Sequence, residues 1–128
     1  MGESLDVLAF ARGINEMLVL AVLRNGAKHG YEVALDLERS SGGQFVLQHG
    51  TLYPVLHRLE RERLIRGRWE QAAGRRRKVY MLTASGRRKL EQDALRCHAL
   101  FRGLLSVVEQ EVMESAVRGE AERSGRRA

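Results

Sequence analysis

Arg75-Arg76-Arg77-Lys78 sets four cations side by side after Gly74, and Gly50-Thr51-Leu52-Tyr53-Pro54 offers a bare backbone position, a hydroxyl and a phenol within about one helical turn. Consecutive cations suit phosphate oxygens, which they bind without regard to base sequence. A glycine admits close approach of backbone to a groove wall. Thr51 and Tyr53 can donate to phosphate, and His57 or Arg58 can reach base edges. Other chemistries find little support. His29, His49, His57 and His98 have no helical metal-ligand spacing, no Ser or Cys sits in a nucleophile motif, and no glycine-rich phosphate loop is present. An enzyme is the least supported class, and no cofactor is implied. The single Cys97 excludes an intramolecular disulfide framework and a multi-cysteine zinc site, and reads as a buried apolar residue of a chain in a reducing compartment.

The cations are concentrated. Over Arg58–Lys89 twelve basic residues face three acidic ones, +9 in a 128-residue chain whose net charge is +6 and whose pI is near 10.2. The rest of the chain therefore carries −3, so the basicity is a local feature that suits a polyanionic partner. A solvated charged face is the plainer alternative. The longest apolar run, Met17–Leu23, is seven residues long, far short of the ~20 needed to cross a bilayer. Met1-Gly2-Glu3-Ser4-Leu5-Asp6 lacks the pattern of a secretory leader or a lipidation signal, so a cytoplasmic chain with no membrane partner is expected.

These residues need elements to place them. Ile14, Met17, Leu18 and Ala21, widened by Leu20 and Leu23, predict a core-facing helix ended by Asn25-Gly26. A second helix is predicted over about 31–39, with Tyr31, Ala34 and Leu35 at helical spacing and Val33 and Leu37 beside them, stopped by Ser40-Ser41-Gly42-Gly43. Leu52, Val55, Leu56 and Leu59 predict a third. Pro54 favours a start near His49 to Thr51, with Thr51 as cap if the helix begins late; a start from Gln48 would bury the proline deeper in the helix. Trp69, Val79 and Tyr80 flank a Gly74 loop and predict a two-stranded hairpin with a basic tip, Trp69 reading as a strand-packing residue more readily than as a ligand platform. Thr83 then caps a last helix. Along it Leu90, Ala94, Cys97, Phe101, Leu104 and Val108 repeat every 3.5 residues, a seam suited to a second copy of the chain or to the chain's own core. Beyond residue 113 glycines and charges accumulate, predicting a flexible tail.

The predicted fold is mainly α with a small β-hairpin. Residues 1–83 form a winged helix-turn-helix with an N-terminal extension, 84–113 a dimerisation helix and 114–128 the tail. The third helix is the reading helix. With its leucines inward, Gly50, Pro54, His57 and Arg61 lie on the opposite face, Tyr53 and Arg58 on its shoulders. The candidate DNA-contacting set is Tyr31, Gln48, His49, Gly50, Thr51, Tyr53, His57, Arg58 and Arg61, joined by Arg75, Arg76, Arg77 and Lys78 at an adjacent minor groove. Plainer roles stay open: Tyr53 packing at the helix edge, His57 merely solvated, the basic tip keeping a hairpin soluble.

The chain resembles the PadR family of bacterial transcriptional regulators, in its short branch with one C-terminal helix. The resemblance runs from Arg12 to Leu90, through Arg12-Gly13-Ile14, Glu16–Leu23, His29-Gly30-Tyr31-Glu32, Gly50–Glu60, Leu64-Ile65 and Arg77–Thr83 with Gly86; the stretch Gly50–Glu60 is the most specific. It implies a homodimeric repressor on a palindromic operator of double-stranded DNA, using the third helix, the Tyr53 position and the wing. It also implies that the C-terminal helix makes the dimer with help from the N-terminal one. Ligand-responsive relatives bind flat aromatic effectors near that interface, and Phe10, Met17, Phe101 and Leu105 are the candidate cavity residues, equally suited to a plain dimer core. Two departures stand out. Gln48 and His49 occupy positions where Ser and Pro are frequent, and the C-terminal helix has Phe101 but no Trp or Tyr, which does not support an aromatic-stacking pocket. The competing reading is a winged-helix adaptor whose basic face binds an acidic protein, without operator specificity.

Overall fold

The computed structural model describes residues 7–126; Met1–Asp6, read above for leader signals, lie outside them. The chain divides into two compact units between Asp93 and Ala94.

In the first unit, α1 (Val7–Leu23), α2 (Gly30–Ser40) and α3 (His49–Arg61) enclose the core, and β1 (Lys28–His29), β2 (Ile65–Ala72) and β3 (Arg75–Leu82) form an antiparallel sheet in the order β1-β3-β2. α3 buries the stripe its leucines predict: Leu52, Val55, Leu56 and Leu59 are all core residues. The other two helices are rotated from expectation. α1 buries Val19, Leu20 and Leu23 while Ala21 is exposed, and α2 turns Gly30, Val33 and Leu37 inward while Tyr31 is 56% exposed. β1, only two residues long, pairs Lys28 with Tyr80 and His29 with Val79, and no periodicity announces it.

Caps set the helix ends. His29 opens α2: its Nδ1 accepts the Glu32 N–H (3.4 Å) while Glu32 Oε1 accepts the His29 N–H (3.3 Å), a reciprocal pair. α2 and α3 close alike. The Gly43 N–H reaches the Glu38 carbonyl with Gly42 left-handed (φ 62°), and the Leu64 N–H reaches the Leu59 carbonyl with Arg63 left-handed (φ 62°). α3 starts earlier than a Thr51 cap would allow. Gln48 is the N-cap without a side-chain bond, its carbonyl accepting from Thr51 and Leu52, so Pro54 stands in the second turn.

The hairpin turns at Ala73-Gly74, both at positive φ (53° and 78°), the conformation that follows the twist of the paired strands. Thr83 caps α4 (Ala84–Val108) as predicted, its Oγ1 accepting the Gly86 N–H (3.0 Å) while its single proton is shared between the Arg63 (2.8 Å) and Leu64 (3.0 Å) carbonyls. Gly86 is buried against the Leu64 backbone, where a Cβ would collide with the carbonyl oxygen. Leu90, the first residue of the predicted seam, is 6% exposed within the first unit's own core, the second of the two packings that its spacing allows.

The second unit continues α4, then a π-helical segment (Glu109–Met113) and α5 (Glu114–Arg126). Helix therefore occupies most of the stretch whose composition predicts a flexible tail. Its glutamates, alanines and arginines favour helix, while the large apolar side chains Val112, Met113 and Val117 are all exposed. Ala94, Leu104 and Val108 of the seam are exposed, and Cys97, expected buried, is only half-buried.

Candidate nucleic-acid interface

With the leucines of α3 buried, its outer side presents His49, Gly50, Thr51, Tyr53, Pro54, His57 and Arg61, all exposed. His49, Tyr53 and His57 follow one another along it, His49 stacked on Tyr53 with ring centroids 5.8 Å apart and His57 tilted against Tyr53 at 6.5 Å. The Tyr53 ring rests on Gly30 at the start of α2, where a Cβ would come within 3.1 Å of the phenol oxygen and 3.2 Å of Cε1. A glycine here lets α2 approach α3 closely and sets the height of the Tyr53 ring. Space remains open around Gly50.

The wing stands beside this face. Strand pairing puts Gly67, Trp69 and Gln71 on one side of the hairpin with Tyr80, Lys78 and Arg76. Between wing, α3 and the first turn of α2 lies a cleft of about 860 Å³ lined by Tyr31, Tyr53, His57, Trp69, Arg76 and Arg77 among others. Six of the thirteen residues singled out for DNA contact, Tyr31, Tyr53, His57, Arg76, Arg77 and Lys78, thus border one concavity. Gln48, His49, Gly50 and Thr51 lie at the exposed start of α3, Arg61 at its end and Arg75 at the wing tip. Arg77 Nη1 approaches His29 Nε2 to 3.5 Å.

Two of the expected contacts have other partners. Arg58 Nη1 donates to Glu16 Oε1 at 2.7 Å, an ion pair between α3 and α1 that leaves the side chain 40% exposed. Lys78 Nζ donates to Glu60 Oε1 at 2.7 Å, and Glu60 Oε2 accepts the Gly67 N–H at 3.1 Å, so one carboxylate at the end of α3 ties down both strands of the wing. The Lys78 ammonium is held above its ordinary pKa, chiefly by that hydrogen bond, and burial raises the Tyr80 phenol. A side chain at Gly67 would run into Lys78 and Glu60.

Trp69 is not packed in the sheet as its strand position suggests; it is 57% exposed, with the Arg76 guanidinium carbon 4.9 Å from its ring centroid. The sequence gives no sign of Glu60 as the wing's anchor beyond an acid within a basic stretch. Of the suggested cavity residues, Phe10 and Met17 belong to the first unit and Phe101 and Leu105 to the second; Met17 packs against the first unit's core, while Phe101 and Leu105 are exposed. Among the described residues no group of three or more metal-binding side chains occurs, and no helix is long and apolar enough to cross a membrane.

Comparison with known proteins agrees with this geometry. Residues 19–92 match the model of the transcriptional regulator PadR-like family. Transcriptional regulator Rv3488 of Mycobacterium tuberculosis is 32% identical over 75% of this chain and 87% of its own length. A 37.1 kDa protein in transposon TN4556 of Streptomyces fradiae is 37% identical over 80% of this chain, which spans only 26% of that relative. The solved PadR family transcriptional regulator of Eggerthella lenta superposes with a TM-score of 0.67 at 32% identity, over 80% of this chain and 88% of that one. The outward polar face of α3, the wing beside it and these likenesses agree, and the chain belongs to the PadR-like family of transcriptional regulators.

Proposed function

We propose that the chain represses transcription by binding a palindromic operator as a homodimer, α3 entering the major groove and the wing following the flanking backbone. The observation that carries this reading is the two-sidedness of α3: four buried apolar residues on one side, and on the other an exposed row of His49, Tyr53 and His57, of which Tyr53 and His57 share a cleft with the cations of the wing. In such a dimer the two reading helices sit about 34 Å apart, one turn of B-DNA. The exposed apolar residues of the second unit, Phe101, Leu104 and Val108 among them, supply the surface for pairing. Such a repressor acts in the cytoplasm, where the DNA is.

The test is a fluorescence-anisotropy titration against the gene's own upstream duplex and a scrambled duplex of equal length, at two salt concentrations. A preference of about a thousandfold or more for the native duplex supports an operator-binding regulator. Equal, steeply salt-dependent binding to both duplexes speaks for a basic surface without readout, and no binding to either favours the adaptor reading. Sedimentation of Leu104→Glu and Val108→Glu variants checks the dimer: both are expected to sediment as monomers where the parent chain is a dimer, because each places a charge in the apolar seam.

A further inference from the structure

Trp69 spends more than half of its surface on solvent, so burial does not account for it. Its neighbours do. On the same side of the hairpin the Arg76 guanidinium carbon lies 4.9 Å from the indole centroid, and the cross-strand partner Lys78 brings its Nζ to 5.9 Å. Both distances are within the range in which the ring face attracts a cation. Lys78 is itself fixed by Glu60 at 2.7 Å. A continuous array, Glu60 to Lys78 to Trp69 to Arg76, thus runs from the end of the reading helix out along the wing, and Trp69, Arg76 and Lys78 all border the cleft that holds Tyr53 and His57. A free arginine samples many rotamers and gives up that freedom on binding phosphate; one already laid over an indole has less to lose.

We propose that Trp69 is a positioning residue for DNA binding, its ring holding the Arg76 guanidinium ready for a backbone phosphate in register with α3. The inference rests on the DNA-binding reading above. It predicts that the contribution of Arg76 depends on the ring beneath it.

The experiment is a set of anisotropy titrations of the full chain on its upstream duplex at three salt concentrations, with Trp69→Leu, Trp69→Phe, Arg76→Ala and the Trp69→Leu/Arg76→Ala double variant. Arg76→Ala is expected to lower affinity about tenfold, the size of one charge-assisted hydrogen bond, and to flatten the slope of log K against log salt by about 0.9. Trp69→Leu should lose a similar factor, Trp69→Phe should regain most of it, and the double variant should bind no worse than Arg76→Ala alone. If the two losses multiply, or if Trp69→Leu binds like the parent chain, the inference is overturned while the DNA-binding reading stands. A Trp69→Leu change that merely disordered the wing would cost more than Arg76→Ala and add to it, which also overturns the inference. Failure of the parent chain to bind duplex at all removes the DNA-binding reading, and this inference with it.

Discussion

Glu60 Oε1 and Lys78 Nζ stand 2.7 Å apart, and through this ion pair α3 and the second strand of the wing are joined at one point. Both groups are about a quarter to a third exposed, and the same carboxylate binds the Gly67 N–H of the first strand. The hairpin's position relative to α3 therefore depends on an ionised lysine.

Alkaline pH should loosen this join. The Lys78 pKa is raised from 10.5 by its hydrogen bond to Glu60, and the Tyr80 pKa is raised from 10.0 by burial. A raised folded-state pKa gives stability that is complete below the unfolded value and lost as pH climbs through the folded one. Melting temperature should accordingly be level from neutral pH to about 10 and fall above it. Tyr80→Phe is expected to soften that fall, as circular-dichroism melts across pH 8 to 12 would show.

Arg58→Ala should leave DNA affinity within about twofold of the parent chain, since its guanidinium is spent on Glu16. The cost is expected in stability instead, at most about 1 kcal/mol for a partly exposed ion pair. Tyr53→Ala should weaken operator binding and also cost stability, because the ring that it removes packs on Gly30. Urea denaturation and anisotropy titration of the two variants separate these outcomes.

Both ends of α3 are imperfectly capped. Arg63 adopts a left-handed conformation that glycine takes without strain, and Gln48 makes no side-chain cap bond. Arg63→Gly and Gln48→Ser should therefore each stabilise the fold, by about 0.5–1 kcal/mol. Neither residue shares a contact with the other, so the double variant should show the sum. Calorimetric melting temperatures check it.

Two glycines should respond oppositely to alanine. At Gly86 a Cβ meets the Leu64 carbonyl, a main-chain atom that cannot swing aside, and Gly86→Ala should cost about 3 kcal/mol or more. Around Gly50 there is open space within a helix, so Gly50→Ala should gain up to about 1 kcal/mol of stability. Any loss of operator affinity in Gly50→Ala then measures how closely the backbone approaches DNA.

What could be read from the sequence follows from the range of each interaction. Leu52, Val55, Leu56 and Leu59 mark α3 because four strong apolar residues repeat at one helical period, and Gly74 between β-favouring residues marks the wing. In α2 the large ring of Tyr31 suggests a core position, yet the tighter packing of Gly30 against Tyr53 turns Val33 and Leu37 inward. The cations are visible in the sequence, but their partners are not. Arg58 finds Glu16 42 residues away and Lys78 finds Glu60 18 residues away, pairings that exist only after the helices and wing have packed. Leu90 fits the heptad seam by spacing alone, and the fold claims it for the first unit's core.

Pro54, in the second turn of α3, has no N–H to offer the carbonyl four residues before it, which is that of Gly50 on the exposed side of the helix. The outer face of α3 therefore presents a main-chain acceptor to which the residue four places on offers no donor. A surface that docks against α3 and covers that carbonyl must bring a donor of its own, and the exocyclic amino groups of adenine and cytosine in a major groove are donors of that kind.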